Sequence, residues 1–235
     1  MPDHAVVTRQ EWTAARQALL AKEKEFTRLR DELSRERRAL PWMRIEKSYA
    51  FETPVGRKSL TELFDGRRQL VVYHFMFAPD WQVPCKSCSF WADNFNGIVS
   101  HLHQRDVTML AISRAPLAKL EAFKQRIGWS FPWISSDDGD FNFDLGVSFR
   151  PQDLAAGEVD YNFRRLKTSM SDLPGISVFY RDDDGTVFRT YSCYSRGVDM
   201  MNTAYHYLDL TPKGRDEDGL PRNQAWVRFH DEYGE

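Results

Sequence analysis

An apolar run leads directly into a close pair of cysteines, and that succession narrows what the chain can fold into. Leu70-Val71-Val72-Tyr73-His74-Phe75-Met76-Phe77 is dense in Val, Tyr and Phe and follows Gly66, so residues 69–77 are expected to form a buried central strand. Cys85-Lys86-Ser87-Cys88 comes next. Trp91, Phe95, Ile98 and Leu102 then recur at the spacing of one helical face, which predicts a helix opened by the cysteines. The same alternation continues downstream. Val107 to Ile112 has the composition of a second strand, and Pro116 stands where a helix starts, with Leu117, Leu120, Phe123 and Ile127 facing inward. Phe131 to Ser135 is a third strand, and Asp138-Gly139 turns into a short helix ending near Gly146. Ile176, Val178 and Tyr180 alternate as a strand, Asp182-Asp183-Asp184-Gly185 is a hairpin turn, and Val187 to Ser192 returns. A helix near 198–209 follows, and the tail is loop-like until Ala225-Trp226-Val227. The stretch 45–63 shows only a turn at Pro54 and Gly56, and 147–172 carries no assignable pattern. Strands alternating with helices imply an α/β protein with a parallel-rich sheet covered on both faces, to which the hairpin adds an antiparallel pair.

A long helix precedes this domain. Thr8-Arg9-Gln10-Glu11 has the spacing of a capping box, and Trp12, Leu19, Phe26, Leu33 and Leu40 recur every seven residues. Ala15 and Leu29 lie on the neighbouring seam, which Lys22 and Glu36 interrupt. Arg35, Arg37 and Arg38 suit the negative end of the helix dipole, and Pro41 stops the helix. A stripe of this kind packs on a partner helix, giving a homodimer, or lies across its own domain. The expected organisation is an N-terminal helical arm over 1–41, a domain over 42–210, and a tail over 211–235 packed on that domain.

Composition excludes several classes of function. The 32 basic and 34 acidic side chains leave a net charge of −2, so nothing favours nucleic acid or an anionic membrane surface. The apolar run is far short of the roughly 20 residues of a spanning helix, and Met1-Pro2-Asp3-His4 does not begin a signal peptide. A cytoplasmic protein is the expectation. Three cysteines among 235 residues are too few for a disulfide scaffold, and in a reducing compartment a close pair is catalytic, redox-sensing or metal-binding.

The position of the pair argues for thiol chemistry. At a helix N-terminus, unpaired amides and the dipole favour an anion, so a thiol there loses its proton more easily. Cys88 continues the apolar stripe of Trp91 and Phe95 and should face inward, whereas Cys85 lies at the exposed start. Cys85 is therefore assigned as the attacking nucleophile and Cys88 as the resolving thiol. Lys86 is expected to lower the Cys85 pKa further, and Ser87 completes the motif. A structural zinc site would need two more ligands, for which only Cys193 and His101-x-His103 are candidates, so no metal and no cofactor are expected.

At these residues the chain resembles known proteins. Strand, C-x-x-C and helix, followed later by a proline before a strand, resembles the thioredoxin-like pattern, with Leu173-Pro174-Gly175 placed as the cis-proline loop that packs against the cysteine pair. Phe131-Pro132-Trp133-Ile134-Ser135-Ser136-Asp137-Asp138-Gly139 through Leu145-Gly146-Val147 resembles the matching stretch of peroxiredoxin-like folds. More specifically, Phe75-Met76-Phe77, Asp80-Trp81, the run from Cys85 to Gly97, Pro174 to Tyr180, Leu208 to Arg215, Trp226-Val227-Arg228 and His230-Asp231-Glu232-Tyr233 resemble the bacterial domain of unknown function 899 family, over nearly the whole chain. That family is described as predicted dithiol–disulfide oxidoreductases. The resemblance implies a thioredoxin-like (peroxiredoxin-like) α/β fold, a mixed central sheet with helices on both faces behind a long N-terminal helix, and a protein or small-molecule thiol or disulfide as substrate. Two departures stand out. Pro84 rather than Trp precedes the first cysteine, with Trp81 four residues upstream, and Lys-Ser replaces Gly-Pro between the pair.

Other residues carry milder expectations. His74 is a hydrogen-bonded core histidine, Asp93 a solvated helix residue, Cys193 a packing residue, and Trp81 and Asp80 shape the rim of the thiol site or cover the core. Asp182 to Gly185 lacks the terminal Glu of a calcium loop, and Arg164, Arg165 and Lys167 lie on the surface. Three functions compete: a thiol–disulfide oxidoreductase, a peroxiredoxin-like thiol peroxidase, and a non-enzymatic redox-sensing dimer. Gln82, three residues before Cys85 where peroxiredoxins carry Thr or Ser, counts against the second.

Overall fold

The computed structural model describes residues 4–137 and 139–234. Of the expected features, the first three residues and Asp138 of the Asp138-Gly139 turn lie outside them. The chain divides after Pro41 into two units.

The first unit is one helix, α1 (Arg9–Ala39). Thr8 Oγ1 accepts from the Glu11 amide while Glu11 accepts from the Thr8 amide at 2.9 Å, so the capping box forms as its spacing predicts. Leu40 leaves the helix at ψ 143°, the extended conformation that Pro41 imposes on the residue before it. No residue of α1 is buried.

The second unit is built on an eight-stranded sheet. Its strands are β1 (Met43–Arg44), β2 (Ala50–Thr53), β3 (Gly56–Ser59), β4 (Gln69–His74), β5 (Val107–Ser113), β6 (Trp133–Ser135), β9 (Gly175–Arg181) and β10 (Val187–Tyr194), in the order β1-β10-β9-β4-β5-β6-β2-β3. A separate hairpin joins β7 (Val159–Tyr161) and β8 (Arg164–Leu166). The helices are α2 (Lys86–Ala92), α3 (Val99–His103), α4 (Leu117–Ile127), α5 (Phe141–Asp144), α6 (Pro151–Ala155) and α7 (Thr203–Leu208).

The expected central strand is central, between β5 and β9. Alternation along it sends Leu70 and Val72 to one face and Val71 and Tyr73 to the other. On the first face, Leu70, Val72, Leu110, Ile112 and Phe179 pack against α5 and the 3₁₀ turn Glu62–Phe64. On the second, Tyr73, Phe75, Met109 and Trp133 pack against α2, α4 and α7. Trp133 lies in the core at no cost in hydrogen bonding, because its Nε1–H donates to Ser113 Oγ at 2.9 Å.

Four expectations are corrected. The sheet is mixed but not parallel-rich: among the described residues only β4–β5 and β5–β6 are parallel, because residues 45–63 supply the β2–β3 hairpin and β1 adds to β10. The central strand, β4, ends at His74 rather than residue 77. Beyond Phe75, the Met76 carbonyl accepts from the Cys85 amide and the Phe77 carbonyl from the Ala115 amide, so the backbone leaves the ladder for the cysteine loop. The helix expected through Trp91, Phe95, Ile98 and Leu102 is broken into α2 and α3. Asn94 Nδ2 caps the Phe90 and Trp91 carbonyls at 3.0 Å, Asn96 Oδ1 takes the Ser130 amide at 2.8 Å, and Ile98 is left exposed. Near 198–209 a 3₁₀ segment, Ser195–Met201, precedes α7, and Ala225 to Val227 form a turn.

The tail is anchored by packing. Phe229 is 2% exposed, with its ring 5.0 Å from that of Phe123, and Arg126 pairs with Asp231 at 2.7 Å.

Candidate active site

The site is assembled where β4 hands the chain to α2. The loop 75–84 is pinned by the Cys85 amide, which donates to the Met76 carbonyl at 3.1 Å. Cys85 is the N-cap of α2: its backbone is extended, and its Sγ accepts the Cys88 amide at 3.4 Å, the place a Ser or Asp oxygen commonly fills. Ser89 Oγ donates to the Cys85 carbonyl at 3.1 Å and fixes the first turn. Cys88, one turn on, is 2% exposed and belongs to the core face with Trp91, Phe95 and Tyr73, whereas Cys85 is only half-buried. Both are free thiols.

Their environments push the two pKa values apart. Cys85 is lowered from 9.0 to about 7, chiefly by the Cys88 thiol and then, against the effect of burial, by the Cys88 and Ser87 amides and the Ser87 side chain. Cys88 is raised well above the ordinary value, first by burial and then by Cys85 itself, with a smaller opposing hydrogen bond from the Tyr73 phenol. Lys86, expected to assist Cys85, is turned to another task. Its Nζ pairs with Glu232 at 2.8 Å and sits 5.1 Å from the Phe229 ring centre, so it fastens the tail to α2.

The pair opens on a cavity of about 190 Å³ lined by Cys85, Cys88, Tyr73, Pro174, Ser195 and Gln224 among others. Pro174 lines the same cavity as the cysteines, but its peptide bond is trans where the thioredoxin-like resemblance implies a cis-proline loop; no cis bond occurs among the described residues. Its position is held instead by Tyr161, whose hydroxyl donates to the Pro174 carbonyl at 2.6 Å and accepts the Ser195 amide at 2.9 Å. One phenol thus ties two walls of the cavity together. Ser195 (φ 50°) and Gln224 (φ 66°) are both in the left-handed region, uncommon for residues other than glycine. Their amides bond to Tyr161 and to Glu217 Oε1 respectively, and these bonds hold the loops in place.

The remaining candidates lie elsewhere. Trp81 does not line the cavity; it packs against the core and its carbonyl accepts from Lys119 at 3.0 Å. Asp80 is exposed. His74 points to the opposite face of the sheet, 1% exposed, with Nε2 2.9 Å from Ser177 Oγ, as expected of a core histidine. Asp93 is not a solvated residue: it accepts the Trp129 indole at 2.8 Å and lies 2.7 Å from His230 Nδ1, holding the tail. Cys193 packs in the core face that also contains Cys88, with a Cβ placed on Gly197 only 3.1 Å from its own Cβ. Arg164, Arg165 and Lys167 are exposed. Among the described residues no group of three His, Cys, Asp or Glu side chains could hold a metal, and no helix is long and apolar enough to cross a membrane.

Sequence reasoning missed Tyr73, Tyr161, Ser195 and Gln224. Tyr73 looked like one more apolar strand residue. Tyr161 fell in the unassigned stretch, where Asn162, at φ 53° in the β7–β8 turn, was the available signal.

A model of a bacterial protein family of unknown function, DUF899, matches residues 1–233. The chain belongs to that family. No curated protein matches the sequence. Among solved structures, the chain is similar to peroxidoxin BcpB from Mycobacterium tuberculosis at 15% identity, covering 70% of this chain and 93% of that one, with a TM-score of 0.44. A peroxiredoxin Q structure from Xanthomonas campestris is similar at 16% identity, over 67% and 90% of the two chains and with a TM-score of 0.42. The mitochondrial 2-Cys peroxiredoxin from Plasmodium falciparum is similar at 12% identity, over 70% and 90%, with a TM-score of 0.40. This DUF899 member combines a mixed sheet, helices on both faces and a leading helix with a strand, C-x-x-C, helix and later proline-before-strand order, which is the thioredoxin-like arrangement.

Proposed function

We propose that this DUF899 member is a thiol–disulfide oxidoreductase in which Cys85 and Cys88 cycle between dithiol and disulfide. The observation that carries the reading is the opposed tuning of the two thiols: Cys85 at about 7 is substantially thiolate near neutral pH, while buried Cys88 stays protonated beside it. The Cys85 thiolate attacks one sulfur of a substrate disulfide, forming a mixed disulfide and expelling the other sulfur as thiolate. Bonding to the substrate removes the Cys85 contribution that raises Cys88. The Cys88 thiol then becomes easier to deprotonate, and its Sγ attacks Cys85 Sγ. The Cys85–Cys88 disulfide forms, the second substrate thiolate leaves, and two electrons have passed to the substrate. Pro174 and Ser87 line the cavity in which this exchange takes place. The substrate is a protein or low-molecular-weight thiol or disulfide, and the reducing cytoplasm is the compartment that suits a cycling pair.

Attack of the same thiolate on a peroxide is a second reading, favoured by the small cavity. It would give a sulfenic acid at Cys85 and an alcohol or water, after which Cys88 condenses to the same disulfide with loss of water. Reduction of a model disulfide and of hydrogen peroxide, assayed beside Cys85→Ser and Cys88→Ser, tests both. Disulfide turnover lost in both variants supports the oxidoreductase. Peroxide turnover alone moves the assignment to the peroxidase, and neither activity refutes both.

A further inference from the structure

The thiol site leaves α1 unused. Trp12, Leu19, Phe26, Leu33 and Leu40 are 60%, 52%, 67%, 45% and 45% exposed, and Leu29 on the next seam is 57% exposed. So many large apolar groups along one stripe of one helix mark an association face. The stripe defines a heptad with position a at 12, 19, 26, 33 and 40, and d at Ala15, Lys22, Leu29 and Glu36.

The charges flanking this seam identify its occupant. Position g, just before each a, holds Glu11, Ala18, Glu25, Glu32 and Ala39, and position e holds Arg16, Glu23, Arg30 and Arg37. In a parallel pair of identical helices, each g faces the e′ residue five positions later on the partner. The contacts are then Glu11 with Arg16′, Ala18 with Glu23′, Glu25 with Arg30′ and Glu32 with Arg37′, so three of the four join opposite charges, each twice by symmetry. An antiparallel pair instead sets g against g′, and g contains no cation to meet its glutamates. Within one helix Arg16 also pairs with Glu23 at 2.8 Å, both about half exposed, an exchangeable surface contact. Lys22 and Glu36 at d weaken the seam, and the long Lys22 stem can lie along it with its ammonium in water.

We infer that the α1 helix pairs with α1 of a second copy of this chain as a parallel, in-register two-stranded coiled coil, seamed by Trp12, Leu19, Phe26 and Leu33 and oriented by the Glu–Arg contacts. This pairing is independent of the thiol chemistry.

Sedimentation equilibrium of the full chain tests it. The expected result is a reversible dimer whose dissociation constant rises at least tenfold in Phe26→Glu/Leu33→Glu, with near-ultraviolet circular dichroism unchanged as a check that the sheet unit still folds. Orientation is tested with Leu19→Cys in a Cys85→Ser/Cys88→Ser/Cys193→Ser background, because only the parallel, in-register pair brings the two residues 19 together. Mild oxidation should then link most of the dimer covalently. A monomer at every concentration overturns the inference and assigns the stripe to an intramolecular contact. A dimer insensitive to Phe26→Glu/Leu33→Glu overturns it too, and a sensitive dimer that fails to cross-link overturns the parallel register.

Discussion

Replacing Cys88 by alanine isolates the interaction that activates Cys85. The Cys88 thiol is the largest cause of the Cys85 lowering, and Cys88→Ala removes it while leaving the amide at position 88, which lies 3.4 Å from Cys85 Sγ, and the Ser87 donors. Full reversion from about 7 to 9.0 would cut the thiolate share at pH 7 from about one half to about one per cent. The more basic thiolate is also more nucleophilic, by about eightfold over that interval at a Brønsted slope of about 0.45, so the net fall in rate would be about sixfold. Burial, which raises Cys85, and the amides, which lower it, both stay, so the midpoint is expected to rise from about 7 toward 9.0. The rate at pH 7 should accordingly fall by about two- to sixfold. Iodoacetamide alkylation of Cys85, followed by mass spectrometry from mildly acidic to alkaline pH, reads both quantities, and the midpoint is the more telling because per-thiolate reactivity does not move it. An unchanged midpoint in Cys88→Ala would refute the pairing of the two thiols. A wild-type midpoint at or above 9 would refute the activation itself.

Two further outcomes are expected. Burial, with a smaller effect from Arg189, holds His74 at about 3 against an ordinary 6.5, so between those values the unfolded chain takes a proton that the native chain refuses. Stability should therefore fall with acidification through that window by about 1.4 kcal/mol per pH unit, and His74→Asn should abolish this component in urea titrations taken between about pH 6 and about pH 4. Equal slopes for the two proteins would contradict it. Phe229→Ala removes a fully buried ring packed on Phe123 and should cost about 3–4 kcal/mol in chemical unfolding; a loss below about 1 kcal/mol would mean that the tail is not anchored there.

What the sequence made legible follows from short-range physics. The α1 cap, the β4 and β5 strands, α4 and the 175–194 hairpin all rest on local periodicity or turn chemistry, and each forms within a few residues of its expected bounds. The difference in burial between Cys85 and Cys88 was likewise legible, because one helical turn separates a half-buried cap from a core face. What escaped depends on partners distant in sequence. The break between α2 and α3 is made by Asn96 reaching Ser130, and Lys86 is diverted by Glu232, some 146 residues away. The cavity wall is set by Tyr161, which bridges Pro174 and Ser195 across two loops. The β2–β3 hairpin was missed because its strands are only four residues long and lie toward the edge of the sheet, where apolar patterning is weakest.

The decisive measurement is the redox equilibrium of the Cys85–Cys88 pair. The full chain is equilibrated in glutathione buffers of graded ratio, quenched with acid, alkylated and resolved by peptide mass. The expected result is a single two-electron transition to an intramolecular Cys85–Cys88 disulfide, absent from Cys85→Ser and Cys88→Ser and intact in Cys193→Ser. Failure of the two thiols to join at any buffer ratio, or joining that requires Cys193, would contradict it.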